Sequence, residues 1–150
     1  SFELLANRIL GKLPEYLKVK NYNVNVNKNK ELKTTAEVTF VIDGKDIHCT
    51  GEGNGPVNAL DNAIRSNFKK VEKYYKYFSD LKLLDYKVRI LNTGTGATTR
   101  VSIESTDKSG KSWFTIGVSQ NIIEASFSAL IDSLEYKLFK EKAPANIHEK

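Results

Sequence analysis

The chain has 150 residues, of which 40% are hydrophobic and 27% charged, a composition typical of one ordinary globular domain. No run approaches the ~18 uncharged apolar residues of a membrane-spanning helix, and no signal-peptide pattern opens the chain. The net charge of +5 permits nucleic-acid binding without requiring it. Because the sequence starts at Ser1 and contains no methionine, we expect it to be a piece of a longer protein.

Histidine and cysteine are too scarce for most sites built from them. Only His48, His148 and Cys49 occur, and His148 falls in a polar tail, residues 141–150, that we expect to be flexible. A zinc site made of His and Cys is therefore close to impossible. Neighbours on a strand point to opposite faces, so His48 and Cys49 cannot form a nucleophile pair. We expect both to be structural and expect no catalysis by this chain alone.

A leader helix is predicted over residues 1–16. Apolar residues recur at helical spacing from Phe2 to Leu13, and Pro14 ends the pattern. Tyrosine and valine then alternate with asparagine over residues 22–27, which predicts a strand with one solvated face. Apolar residues alternate again over residues 36–42, and Asp43-Gly44 predicts a hairpin turn into a third strand.

A glycine-rich stretch, residues 51–56, leads into a predicted helix. Its apolar residues step by three and four, which predicts one continuous helix: Val57, Leu60, Ile64, Phe68, Val71, Tyr75 and Phe78. Lysines at positions 69, 70, 73 and 76 interleave with tyrosines on this helix. We interpret them as a solvated helix face, with an RNA-binding ridge as the alternative.

The second half of the chain repeats this order of elements. Strands are predicted around residues 86–90, 101–103 and 113–118, followed by a helix with an apolar stripe over residues 123–138. We therefore predict an α+β fold of two strand–strand–strand–helix units, at about residues 20–79 and 83–140. One such unit cannot cover both sides of its apolar surface, so we expect the two to pack together.

The start of the first long helix is the most informative candidate for binding. Pro56 suits the first helical position, Asn54 or Gly55 can cap it, and Gly53 and Gly55 allow a ligand to approach the backbone. Open N–H groups and the helix dipole favour an anion there. The chain has no P-loop or dinucleotide motif, so a small carboxylate fits better than a nucleotide phosphate. A tight turn without a ligand is equally compatible with the segment.

The second helix start repeats the pattern with a capping segment, residues 119–121, and with Glu124 in the first turn. Glu124 either complements the helix dipole or holds a ligand's ammonium group. Leu83, Tyr86 and Ile90 form an apolar cluster. Such clusters belong to the hydrophobic core more often than to a binding pocket. Two helix starts beside apolar strands suit a ligand with one charged end and one apolar end.

Three segments resemble the signatures of a known regulatory domain. Gly53-Asn54-Gly55-Pro56-Val57-Asn58-Ala59 is similar to the glycine-proline motif in the C-terminal domain of 2-isopropylmalate synthases and citramalate synthases. Residues 84–88 and 121–126 resemble the other two signatures, and the resemblance covers about residues 20–140. Residues 87–91, 99–105 and 135–138 look more like the citramalate branch. Asn121 stands where the leucine branch usually has an aspartate.

This resemblance implies a regulatory domain, residues 17–140, that forms a homodimer and binds the end-product amino acid of its pathway. In the citramalate branch that effector is isoleucine, which inhibits the condensation of pyruvate with acetyl-CoA; in the leucine branch it is leucine. The catalytic barrel, with its divalent metal and acid/base residues, would lie upstream in the same chain. We therefore expect a cytoplasmic protein with no cofactor, nucleic acid or membrane bound to this part.

The resemblance also implies an effector site, carried over position by position. Its residues come from the glycine-proline loop, the following strand and loop, and the second helix start: Gly53, Asn54, Gly55, Val57, Leu83, Tyr86, Ile90, Ala97, Thr99, Ile122, Ile123 and Glu124. An RNA-binding α+β module is the alternative from a different class, although the positive charge is spread over both halves. A structural dimerisation domain is a further alternative, and a free-standing enzyme using Asp85 and Glu124 a more distant one.

Overall fold

The computed structural model describes residues 15–28, 32–94 and 96–147. The predicted leader helix lies outside the described residues except for Glu15 and Tyr16, which have no helical structure. Tyr16 is buried, with 2% of its surface exposed. No described helix is long and apolar enough to cross a membrane.

The described chain forms two units of the same topology. In the first, three strands precede two helices and a 3-10 turn: β1 (Lys18–Lys28), β2 (Leu32–Ile42), β3 (Lys45–Gly53), α1 (Pro56–Arg65), the turn (Phe68–Lys70) and α2 (Tyr75–Phe78). In the second, three strands precede one helix: β4 (Lys82–Thr93), β5 (Gly96–Thr106), β6 (Ser112–Ser119) and α3 (Ile122–Lys140). Each sheet is antiparallel with its strands in chain order, which confirms the predicted α+β fold of duplicated three-stranded units.

In the first unit, α1 covers one face of the sheet. The alternating residues Ala36, Val38 and Phe40 of β2 are fully buried, as are Leu60 and Ala63 of α1. α1 packs on β2 and β3. Such alternation buries one face of each strand and leaves the other to polar residues, which is why the period of two predicted these strands.

In the second unit, α3 packs on β5 and β6. Val101 and Ile103 of β5 are completely buried beneath it. The edge strand β4 is different, because Tyr86, Val88 and Ile90 are 47%, 40% and 69% exposed. The expectation that the cluster around Tyr86 and Ile90 is core is therefore wrong, since the helix covers only two of the three strands.

The predicted continuous helix over residues 57–78 is also wrong. α1 ends at Arg65, and the Asn67 side-chain amide then donates to the carbonyl of Ala63 at 2.6 Å and to that of Thr50 at 3.0 Å. The first bond satisfies a carbonyl that the helix end leaves open, and the second ties the chain after the helix to β3. After the break Tyr74 is buried and Tyr75 is 38% exposed, the reverse of the predicted stripe.

The predicted basic run does not form one free face. Lys73 pairs with Asp43 at 2.7 Å and donates to the Ala145 carbonyl at 2.6 Å, while Lys70 donates to the His48 carbonyl at 3.1 Å. Because two of the four lysines are engaged within the first unit, the interpretation as an RNA-binding ridge loses support.

The C-terminal segment 143–147 is held in place where the sequence predicted a flexible tail. Asn146 is 7% exposed; its N–H donates to the Glu15 carbonyl, its Oδ1 accepts from the Asp43 N–H, and its Nδ2 donates to the Val41 carbonyl. The Tyr74 hydroxyl donates to the Pro144 carbonyl at 2.9 Å. These bonds attach the segment to the first unit.

Candidate functional site

The start of α1 has backbone N–H groups that nothing in the helix satisfies. Gly55 is the N-cap residue, in an extended conformation with φ −175° and ψ 177°, and no side chain among the described residues caps the helix. The first intrahelical bond is donated by Ala59 to the Gly55 carbonyl at 2.8 Å. Because Pro56 has no N–H, the N–H groups of Val57 and Asn58 are the ones left open at the positive end of the dipole.

The loop before α1 is shaped by glycine and asparagine. A Cβ on Gly53 would lie 2.6 Å from the backbone nitrogen of Ala59, so only glycine lets β3 approach the helix this closely. Asn58 Oδ1 accepts from the Asn54 N–H at 3.2 Å, and Asn62 Nδ2 donates to the Glu52 carbonyl at 2.7 Å. The glycine-proline segment therefore forms a braced junction with an open helix start.

The start of α3 is capped by the protein itself. Asn121 Oδ1 accepts from the N–H groups of Ile123 at 2.8 Å and Glu124 at 3.4 Å. The predicted capped start is confirmed. The consequence is a difference between the two junctions: an asparagine side chain already occupies the N–H groups at α3, whereas those of α1 are open. Glu124 is exposed in the first turn.

Five of the predicted site residues share one face of the second sheet. A bulge between Leu83 and Asp85 places Leu83 on the same face as Tyr86, because the two lie opposite Ser105 and Ile103 of β5. Ile90 lies opposite Thr99, and Ala97 follows on that face two residues from Thr99. The spacing of three and four from Leu83 to Ile90 therefore results from a strand with a bulge.

One cross-strand row links this face to the helix start in the second unit. Ile90, Thr99 and Ser119 are paired side by side across the three strands, and Ser119 Oγ accepts from the Asn121 N–H at 3.1 Å. Neighbouring strands are about 4.8 Å apart, so the row spans about 10 Å. The exposed strip of β4 and the start of α3 thus lie at the same end of the sheet.

The first unit contains an equivalent row that sequence reasoning missed. Val26, Thr34 and Gly53 are paired across its three strands, and Gly53 leads into the α1 junction. Val26 is 52% exposed and Tyr22 half-buried on the same edge-strand face. The match between Tyr22-x-Val24 and Tyr86-x-Val88 was the signal that would have found them.

The predicted site residues thus fall into two groups, each contiguous within its own unit. Gly53, Asn54, Gly55 and Val57 form the junction at α1. The other eight lie in the second unit, on the β4–β5 face and at the start of α3: Leu83, Tyr86, Ile90, Ala97, Thr99, Ile122, Ile123 and Glu124.

His48 and Cys49 behave as the strand pattern predicted. His48 is exposed, with its Nδ1 3.0 Å from Thr39 Oγ1, and Cys49 is fully buried on the opposite face. Burial raises the pKa of the Cys49 thiol, and the charge of Lys70 offsets this only in part. Among the residues that the structure describes, no three His, Cys, Asp or Glu side chains cluster as metal ligands would.

Comparison with known proteins gives one family match. The model of a family described as "LeuA allosteric (dimerisation) domain" matches residues 1–138. The chain is 47% identical over 147 residues to an (R)-citramalate synthase of Geobacter sulfurreducens, and 45% identical over 147 residues to one of Aquifex aeolicus. Each alignment covers 95% of this chain and 27% of the relative.

A 2-isopropylmalate synthase of Clostridium acetobutylicum is 36% identical over 143 residues, which covers 92% of this chain and 22% of that protein. The chain therefore spans about a quarter of the length of the curated relatives it matches.

Proposed function

This chain belongs to the LeuA allosteric (dimerisation) domain family, and from that premise we propose that it is the isoleucine-binding regulatory domain of an (R)-citramalate synthase. The citramalate assignment is supported by identities of 47% and 45% to two such enzymes, against 36% to a 2-isopropylmalate synthase. The proposal includes a homodimer and a catalytic domain elsewhere in the same cytoplasmic chain. The divalent metal and the condensation of pyruvate with acetyl-CoA belong to that domain.

The observation that carries the proposal is the open start of α1. An amino acid's carboxylate needs several N–H donors in a cluster, and the helix dipole adds favourable charge. The N–H groups of Val57 and Asn58 provide such donors, and within the part of the chain that the structure describes no side chain caps them. We assign the carboxylate of the effector to this junction, which makes Gly53, Asn54, Gly55 and Val57 its binding segment.

Separately from the α1 junction, the second unit has an uncovered apolar strip of its own on which an apolar side chain can pack. Tyr86 and Ile90 are 47% and 69% exposed on a strand whose face would otherwise be core. Burying the four-carbon side chain of isoleucine contributes roughly 2–3 kcal/mol. The exposed carboxylate of Glu124 suits an ammonium group, and its role stays a prediction.

Selectivity between branched-chain amino acids should be real but partial under this proposal. A misplaced methylene in an apolar pocket is worth ~1–3 kcal/mol, which corresponds to about 10–200-fold in affinity. Inhibition further requires that isoleucine bind the less active arrangement of the enzyme more tightly, since a ligand that binds two states equally does not change their populations.

Calorimetric titration of the 150-residue chain with isoleucine, leucine and valine tests the proposal. We expect saturable heat with isoleucine and weaker binding of the other two. Tightest binding of leucine would assign the chain to the 2-isopropylmalate branch instead. Absence of heat with all three would leave a structural dimerisation domain as the better description.

A further inference from the structure

The outer face of the second sheet, turned away from α3, carries a row of exposed apolar side chains. Phe114, Ile116 and Val118 of β6 are 56%, 42% and 59% exposed, while the residues between them face the helix and are buried. An antiparallel sheet with a solvated outer face has polar residues there. Three consecutive large apolar residues on such a face indicate a surface that is covered in the assembled protein.

The duplicated fold contains a control for this observation. Gly51 and Gly117 both lie against the backbone of their helix, and each precedes the first residue of that helix by five positions. The equivalent residues of β3 and β6 can therefore be aligned through these glycines. The alignment pairs each apolar residue of β6 with a polar residue of β3: Phe114 with His48, Ile116 with Thr50, and Val118 with Glu52.

The charged residues of the same outer face are arranged in rows of like sign. Asp85 of β4 lies directly opposite Glu104 of β5, and Arg89 lies directly opposite Arg100. Like charges paired across strands are destabilising unless another group compensates them. Within the described chain none of the four makes a salt bridge. The basic pair lines an open depression together with Lys87 and Ser102.

The acidic and basic rows are too far apart to neutralise each other within one copy. Asp85 and Arg89 are four residues apart on one strand, which places their rows about 13 Å from each other. That distance exceeds the ~8 Å over which exposed charges interact at physiological ionic strength. Lys87 lies between the two rows, about 7 Å along the strand from each, so it offsets only part of the acidic charge and adds to the basic charge. Full compensation of both rows therefore needs groups from outside this sheet.

The geometry points to a second copy of this chain as the occupant, packed outer face to outer face about a two-fold axis. The axis crosses the strands at the central row, where Lys87, Ser102 and Ile116 are paired side by side. This rotation places the acidic row of each copy over the basic row of the other, so Asp85 faces Arg89 and Glu104 faces Arg100.

The same rotation makes the apolar row self-complementary. Ile116 meets Ile116 of the second copy, and Phe114 meets Val118 on either side, because both lie one row from the axis. A two-fold axis parallel to the strands would instead superimpose Glu104 on Glu104 and Arg100 on Arg100, whereas the axis along the central row superimposes only one charged residue, Lys87, on its own copy. Residue pairing of this kind is what an isologous interface requires, and sheets packed face to face keep their strands nearly aligned.

This inference takes from the proposed function only that the chain dimerises, and it adds the face that does so. The first test measures the mass of the 150-residue chain by sedimentation, without any amino acid present. We expect two chains for the unmodified protein and one chain for Ile116→Asp, which would place two carboxylates against each other. Thr50→Asp, at the matched position of the other sheet, should remain a dimer.

A charge-swap pair makes the test independent of folding defects. An all-acidic variant (R89E/R100E) and an all-basic variant (D85K/E104K) should each sediment as one chain, and an equimolar mixture should sediment as two. Recovery of the two-chain mass in the mixture shows that both variants are folded. One-chain mass for the unmodified protein, or two-chain mass for each variant alone, would overturn the proposal. A dimer of this kind that gives no heat with isoleucine would refute the proposed function alone.

Discussion

A buried lysine organises the charges at the end of α3. Lys137 is almost completely buried, and its Nζ lies 2.6 Å from Asp107 Oδ2 and 2.6 Å from Glu141 Oε1. Burial by itself would raise the pKa of Asp107. Hydrogen bonds from Lys137, Lys140 and Ser109 outweigh burial and hold the pKa of Asp107 well below its usual range.

Replacement of Lys137 by methionine should strongly destabilise the chain, because it leaves the buried carboxylate of Asp107 without its main partner. Breaking one side of a buried ion pair costs about 3–5 kcal/mol. Urea denaturation followed by circular dichroism measures the loss. The matched control is Lys111→Met at an exposed turn position, which should stay within about 0.5 kcal/mol. Equal stability of the two variants would show that this cluster contributes little.

The same cluster predicts how stability depends on pH. Since the folded pKa of Asp107 lies below its ordinary value of 3.8, the unfolded chain binds more protons between the two values. The contribution of Asp107 is therefore complete above about pH 4 and is lost as the pH falls further. Asp107→Asn should flatten this acid limb of the curve of unfolding free energy against pH. An unchanged limb would assign acid unfolding to other carboxylates.

No local pattern in the sequence predicted this cluster. Asp107 lies in the turn between β5 and β6, where its Oδ1 accepts from the N–H of Ser109 at 3.0 Å. Lys137 is thirty residues further along the chain, within a helix whose apolar stripe gives no sign of a buried charge. A partner at such a separation is determined by packing, which a one-dimensional pattern does not contain.

Among the elements, the two helix starts differ in a way that can be tested. Gly55 has extended backbone that any residue can adopt, and a Cβ there would meet nothing within 4 Å. An aspartate at the N-cap position accepts from the open N–H groups and stabilises a helix by a few tenths of a kcal/mol relative to glycine. Under the proposed function the aspartate side chain would occupy the binding position of the effector's carboxylate.

Gly55→Asp should therefore raise the midpoint of thermal unfolding while weakening isoleucine binding at least tenfold, measured by calorimetry. Gly55→Ala is the matched control, because it adds a Cβ without an oxygen and should leave affinity within about threefold. If Gly55→Asp binds isoleucine normally, the carboxylate of the effector is not at α1.

Local sequence signals predicted these helix starts. The limited range of such signals explains why the predicted continuous helix over residues 57–78 was wrong. Pro56, Gly55 and Asn121 act within three residues of their own position, so the sequence carries the whole cause. The end of α1 depends on Asn67 reaching the carbonyl of Thr50 on β3. Apolar residues continue at helical spacing past this point, so periodicity alone could not reveal the break.

At the scale of the whole molecule, the duplication made the fold predictable and left the differences between the units hidden. Strand order, hairpins and helices follow from periods of two and 3.6 that recur in each half. Which apolar residues are covered does not follow, because α3 leaves β4 open and β6 carries apolar residues on its outer face. The period of the apolar residues assigns a residue to one face of its strand or helix, but it does not show what covers that face.

The C-terminal segment shows how strongly a short stretch of chain can be held without a sequence signal. α3 ends where Lys142 takes a left-handed conformation, with φ 56°, and the chain then joins the first unit. Glycine is the usual residue in that conformation and would have indicated the turn. A lysine gives no such indication, so the segment reads as an ordinary polar terminus.

Asn146 makes three of the hydrogen bonds that hold this segment, so loss of its side chain should destabilise the first unit. Its side chain pairs with the Asp43 N–H at 2.7 Å and the Val41 carbonyl at 2.8 Å. Asn146→Ala leaves both backbone groups without this partner, which costs about 1–3 kcal/mol for each one that stays buried. We expect a loss of that size in urea denaturation, and hydrogen exchange should become faster at Asp43 before it does in β5.

Asn23→Ala, at an exposed position of β1, is the control and should change neither quantity. An Asn146→Ala protein as stable as the control would mean that residues 143–147 rest on the first unit without stabilising it.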